Sequence, residues 1–139
     1  MKVLLALLLA VLLPLSATAN TLPTEATKIE AMIGSVEQLP GAIFIRNGAE
    51  YSGVKAASHL RYKWKSAGNR VKTAEDFILF CASASSMTGK KYRIRFNDGQ
   101  SIDAEQYFHA QLKRLNAGQP VSLKSPVIAK AAAAAVAAH

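Results

Sequence analysis

The chain is poor in cysteine and in acid. Cys81 is its one cysteine in 139 residues, so an internal disulfide is excluded and the fold must hold by packing alone. Nine acidic residues face 17 lysines and arginines, a formal charge of +8, which sets the chain toward anionic partners. The three histidines, His59, His109 and His139, make no ligand spacing with one another or with Cys81, so no metal site and no cofactor are expected. Nucleophile signatures are missing too. There is no Gly-x-Ser-x-Gly elbow. Ser86-Met-Thr-Gly-Lys90 resembles the end of a phosphate-binding loop, but it lacks the earlier glycine and precedes a strand where such a loop needs a helix. No apolar run after the first residues is long enough to cross a bilayer, which takes roughly 20 residues.

The N-terminus carries what the rest lacks. Lys2 is followed by an unbroken apolar run from Val3 to Leu13, then Pro14, Ser16 and the small residues Ala17-Thr18-Ala19. That order is the layout of a cleavable secretory signal peptide over residues 1–19. No cysteine stands near the cleavage position, which argues against a lipid-modified N-terminus. Removing 19 of 139 residues leaves 120, enough for one domain. The expected setting is the periplasm, with the extracellular space second.

Residues 20–116 read as a single α+β domain of about four helices packed around a small antiparallel sheet of two short hairpins. Thr24 opens the first helix, where Ile29, Met32, Ile33 and Val36 form one apolar stripe, and Pro40-Gly41 stops it. Asn47-Gly48 between β-favouring runs is a hairpin signal, since a type I′ turn needs positive φ twice. Ser52 caps a second helix carrying Ala57, Leu60 and Trp64 on one face. Thr73 and Asp76 form a capping box for a third, with Phe77, Phe80, Cys81 and Ala84 on one side and Ile78 and Leu79 widening the buried surface. Tyr92 to Phe96 alternates as a half-buried strand, and Asp98-Gly99 turns it back through Ser101-Ile102. Asp103 caps the last helix, whose stripe is Tyr107, Phe108, Leu112 and Leu115. Residues 117–139 form an alanine-rich tail with no amphipathic face, expected to be disordered.

Several strings are similar to the YfeK-like family of small exported bacterial proteins, a domain of unknown function. They are Phe44-Ile-Arg-Asn-Gly48, Tyr51, His59-Leu60, Lys63, Asn69-Arg-Val-Lys-Thr-Ala-Glu-Asp-Phe-Ile78, Ala82-Ser83, Ser85-Ser86, Gly89-Lys90 and Tyr92. The resemblance spans roughly residues 25–115 and is most specific from Arg70 to Ile78. It implies bacterial export and one small domain, and no activity. It also implies a cysteine before the first strand's phenylalanine and another in the later strand; Ala42 and Phe96 stand there in this chain, so any such disulfide is missing.

The residues with a claim on function are basic. Lys55, Arg61, Lys63, Lys65, Arg70 and Lys72 lie between Tyr51 and Thr73 with no acid among them, and Lys90, Lys91, Arg93 and Arg95 form a second group. A solvated basic surface is the simpler explanation. The functional one is an anion site built from Arg46, His59, Lys63, Arg70 and Lys72. Export and the absence of any recognised nucleic-acid motif turn the choice from nucleic acid to an anionic envelope component, bearing phosphate or carboxylate, or to an envelope protein. The expected function is therefore a non-catalytic binding or adaptor module. The alternative is a small envelope hydrolase or transferase using His59.

Overall fold

The computed structural model describes residues 22–126. The expected signal peptide and the alanine run of the tail lie outside those residues. α1 (Glu25–Gln38) begins where Thr24 accepts the amide of Thr27, and it buries the anticipated stripe of Ile29, Met32, Ile33 and Val36. β1 (Ile43–Arg46) and β2 (Ala49–Tyr51) close around Asn47 and Gly48 at φ +50° and +79°, the double positive φ of a type I′ turn. α2 (Gly53–Ala67) starts at Ser52, whose hydroxyl accepts the Lys55 amide. α3 (Ala74–Phe77) opens on the full Thr73–Asp76 capping box. β3 (Arg93–Arg95), β4 (Ser101–Asp103) and α4 (Ala104–Asn116) follow.

The four strands form one antiparallel sheet in the order β2-β1-β3-β4. Register places Phe44 opposite Ile94, and Ile94 opposite Ile102, which makes one face apolar. The helices pack on that face. Arg93 and Arg95 stand on the other side, as strand alternation requires. Arg46 has the parity of Phe44, so it lies on the helix-facing side at the end of β1, where burial runs out. The Ile43–Arg95 pairing, continued by one step, sets Ala42 against Phe96, and both are buried. Where a disulfide was implied, packing of an alanine against a phenylalanine stands instead. Phe77 is the centre of the core, with Trp64 and Phe108 edge-on to it at ring-centroid distances of 6.2 Å each.

The structure departs from the sequence reading after Phe77. The third helix was expected to run on with Leu79 and Phe80 inside. Instead the chain widens into a π turn over Ile78–Ala82, and the Ser83 hydroxyl donates to the Ile78 carbonyl at 2.6 Å. A π turn holds more residues per revolution, so the apolar face shifts. Ile78 and Cys81 go in, while Leu79 is 64% and Phe80 37% exposed. Asp103 occupies the N-cap position of α4 but makes no capping bond; its carboxylate accepts a hydrogen bond from Arg93 at 2.8 Å instead. Past Asn116 the chain stays against the domain. Gln111 holds Ser122 through two bonds of 2.7 Å, and Ser125 is buried.

Candidate functional site

A cleft of about 190 Å³ opens between β1, α2, β3 and the start of α4. Its floor is apolar: Phe44, Leu60, Ala82, Tyr92, Ala104 and Phe108. Its rim is basic, made by Arg46, Lys55 and His59, with Tyr51 at one side. No carboxylate lines it.

Arg46 and His59 meet across this rim. The guanidinium Nη1 lies 3.1 Å from Nδ1 and 3.0 Å from Nε2 of the imidazole. An atom this near to both ring nitrogens lies over the imidazole face rather than along either lone pair, and its positive charge there disfavours a second charge on the ring. The Arg46 Cζ also sits 6.0 Å from the centre of the Tyr51 ring. One turn along α2, Lys63 donates to the Ala84 carbonyl at 3.0 Å and to the Tyr92 hydroxyl at 3.2 Å. Burial holds the pKa of His59 below its ordinary value, and the charges of Arg46 and Lys63 push it the same way. Burial also lowers Lys63 and raises Cys81 and Tyr92, so the cysteine is a protonated, sequestered thiol.

The nine acids of the chain are all engaged elsewhere. Glu25 binds Lys28, Glu30 and Glu37 bind Arg61, Glu50 binds Arg95, and Glu75 binds His109. Asp103 and Glu105 take Arg93 and Lys91. Asp76 and Asp98 bond backbone amides. None reaches Arg46, His59 or Lys63. Lys28, Arg61, Lys91, Arg93 and Arg95 are thus spent on acids, whereas Arg46, Lys55 and Lys63 at the cleft are not, nor are Arg70 and Lys72 away from it.

Of the five basic residues singled out in the sequence, Arg46 and His59 line the cleft, and Lys63 supports it through Tyr92. Arg70 and Lys72 do not line it. Arg70 lies 4.8 Å from the ring centre of Phe80, and Lys72 is exposed at the start of α3. Sequence reasoning gave no role to Tyr92 or the alanines of the floor. Asn47 does more than turn the hairpin: it accepts the Thr88 hydroxyl at 2.6 Å and donates to Ser85, pinning the loop that leads into β3. Ser83 and Ser85 are buried in such bonds.

Residues 23–116 match a family of unknown function, DUF5329. The chain belongs to that family. It is 42% identical over 92 residues to the uncharacterized protein YfeK of Salmonella typhimurium strain LT2, a match that covers 66% of this chain and 77% of the relative. The resemblance read from the motifs is therefore correct. No solved structure matches the chain. Neither comparison names a ligand, a partner or a reaction.

The neutral His59 has a consequence for stability. Arg46 from β1, Lys63 from its own helix and the edge-on Tyr92 ring, 6.3 Å away, are the charged and titratable groups that face it. Its pKa in the folded state is lower than the ordinary 6.5. As pH falls through that ordinary value, the unfolded chain takes up the proton first, so stability drops, and the drop ends below the folded-state pKa. Urea unfolding at pH 7.5 and 5 should show this loss, and His59→Gln should remove that part of it. An unchanged pH dependence in the variant would contradict the neutral assignment.

Proposed function

We propose that this chain is an exported protein of the bacterial envelope, working in the periplasm, and that its domain is a non-catalytic module that binds an anionic envelope component at the cleft. One observation carries the reading. Arg46 and Lys55 stand on the rim of a cleft with an apolar floor, and no carboxylate lines that cleft or pairs with either of them. A protein that builds such a cluster without its own counter-charge is arranged to receive one. The hydrolase reading draws on the presence of Tyr51 beside His59, but no serine or carboxylate lines the cleft to act with the imidazole.

Co-sedimentation tests the proposal, with anionic phospholipid vesicles in one arm and cell-wall preparations in the other. Retention is expected at low ionic strength and release near 1 M salt, where the Debye length is about 3 Å. Arg46→Gln should weaken retention in whichever arm binds. Protein recovered from the periplasm should begin at Asn20. No retention in either arm at low salt would sink the binding reading, and an intact Met1 would sink the export reading.

A further inference from the structure

The geometry points to a specific ligand class for the cleft: a small amphipathic monoanion, with its acidic head on the Arg46–Lys55 rim and an apolar body about the size of one aromatic ring on the floor. This rests on the cleft being an anion seat, and it goes further by saying what must be attached to the anion.

Volume sets the body. An apolar cavity of about 150 Å³ takes a benzene ring, whereas drug-sized ligands need roughly 300–1,000 Å³. At about 190 Å³ the cleft fits a single ring or a short alkyl chain, and it cannot enclose a sugar polymer or a complete lipid. The space exists because three wall and floor positions, Ala56, Ala82 and Ala104, carry a methyl group where their neighbours in the core carry Leu60, Phe44 and Phe108. Larger side chains there would close the hole.

Chemistry sets the head. Arg46 sets one nitrogen against the His59 ring and keeps N–H donors on its other nitrogens for a ligand. Lys55 is exposed on the rim and has no acidic partner among the described residues. The Tyr92 oxygen accepts a hydrogen bond from Lys63, so its own hydrogen stays available to donate. These groups are all donors, which disfavours a cationic ligand. A bare inorganic anion would satisfy the rim but leave the apolar floor wet. A neutral hydrocarbon would fill the floor but leave the rim uncompensated. A hydrocarbon with one acidic group answers both.

Three probes separate the possibilities: hexanoate, acetate (the head alone) and hexanol (the body alone). Each is titrated into the isotope-labelled chain at low ionic strength, and backbone amide shifts are followed by NMR. Hexanoate should move amides in residues 44–46, 56–60 and 92, with an affinity at least about tenfold above either fragment. Ala56→Leu, at a half-buried wall position, fills the cleft and should abolish hexanoate binding. Arg46→Gln should reduce hexanoate to the level of hexanol, and it decides the matter if the alanine variant does not fold. Hexanoate no tighter than acetate would overturn the amphipathic class and leave the proposed anion binding standing. Hexanol as tight as hexanoate would overturn the role of the rim. Absence of both hexanoate binding and co-sedimentation in the unaltered chain would remove this inference and the proposed function together.

Discussion

Phe77→Ala is expected to cost about 3–5 kcal/mol, the range for removing a fully buried aromatic ring. Phe77 has no exposed surface, and Trp64 and Phe108 stand edge-on to its ring. Those neighbours come from α2 and α4, so the vacated space cannot close without moving two helices. α3 is only four residues long before its π turn, and Phe77 is the one large side chain it buries. A native domain has about 5–15 kcal/mol to lose in total. For a domain of this size the change should lower the melting temperature by at least roughly 12 °C. Leu79→Ala is the contrast. Leu79 is equally apolar and two positions away, but it is 64% exposed, so its loss should stay within about 0.5 kcal/mol. Urea unfolding of both variants measures the difference. Comparable losses would mean that the third helix buries both residues and that the π turn is absent.

That contrast marks where the sequence stops being legible. The caps at Thr24, Ser52 and Thr73 were readable because each needs only a short polar side chain before an apolar run. The hairpin at Asn47-Gly48 was readable because few residues tolerate its φ values. The π turn was not. Its apolar residues continue a helical pattern, and the device that diverts it is a hydroxyl on Ser83 reaching the Ile78 carbonyl, a bond with no periodic signature. Asp103 looked like a cap, yet a strand neighbour, Arg93, captures its carboxylate first.

The site was legible in kind and not in place. A run of bases without local acids suggested a continuous anion-binding face through Arg70 and Lys72. Acids far along the chain cancel part of it: Arg61 is held by Glu30 and Glu37, which precede it by 31 and 24 residues. Composition counts charge, and only tertiary structure says which charge is spent. The cleft itself is made by small side chains next to large ones, and missing volume leaves no pattern in one sequence. Arg46 and His59 were named only as basic residues 13 positions apart; strand parity and helix packing bring the two within hydrogen-bond distance.

Gly53→Ala is expected to destabilise the domain by about 2–3 kcal/mol, at the upper end of what overpacking costs. A Cβ at Gly53 would lie 2.5 Å from the Val36 carbonyl oxygen and 3.3 Å from that of Glu37. Both obstacles are backbone, at the C-terminal end of α1, so neither can rotate away. The first turn of α2 would have to lift off α1. Gly34→Ala, on α1 itself, meets nothing nearer than the flexible Gln38 side chain at 3.8 Å. There the usual helix preference acts alone, and alanine should stabilise by about 0.8–1 kcal/mol. The same substitution thus has opposite signs at two glycines, and thermal melts of the pair read the difference directly. The consequence reaches the cleft, because α2 also carries His59 and Lys63. Lifting its N-terminus moves Lys55 and His59 relative to β1, where the Arg46–His59 contact is only 3.0 Å. Gly53→Ala should therefore weaken hexanoate binding as well as folding, whereas Gly34→Ala should leave it unchanged. Full binding by a destabilised Gly53→Ala protein would show that the strain is absorbed within α1, and that the rim does not depend on how closely the two helices approach.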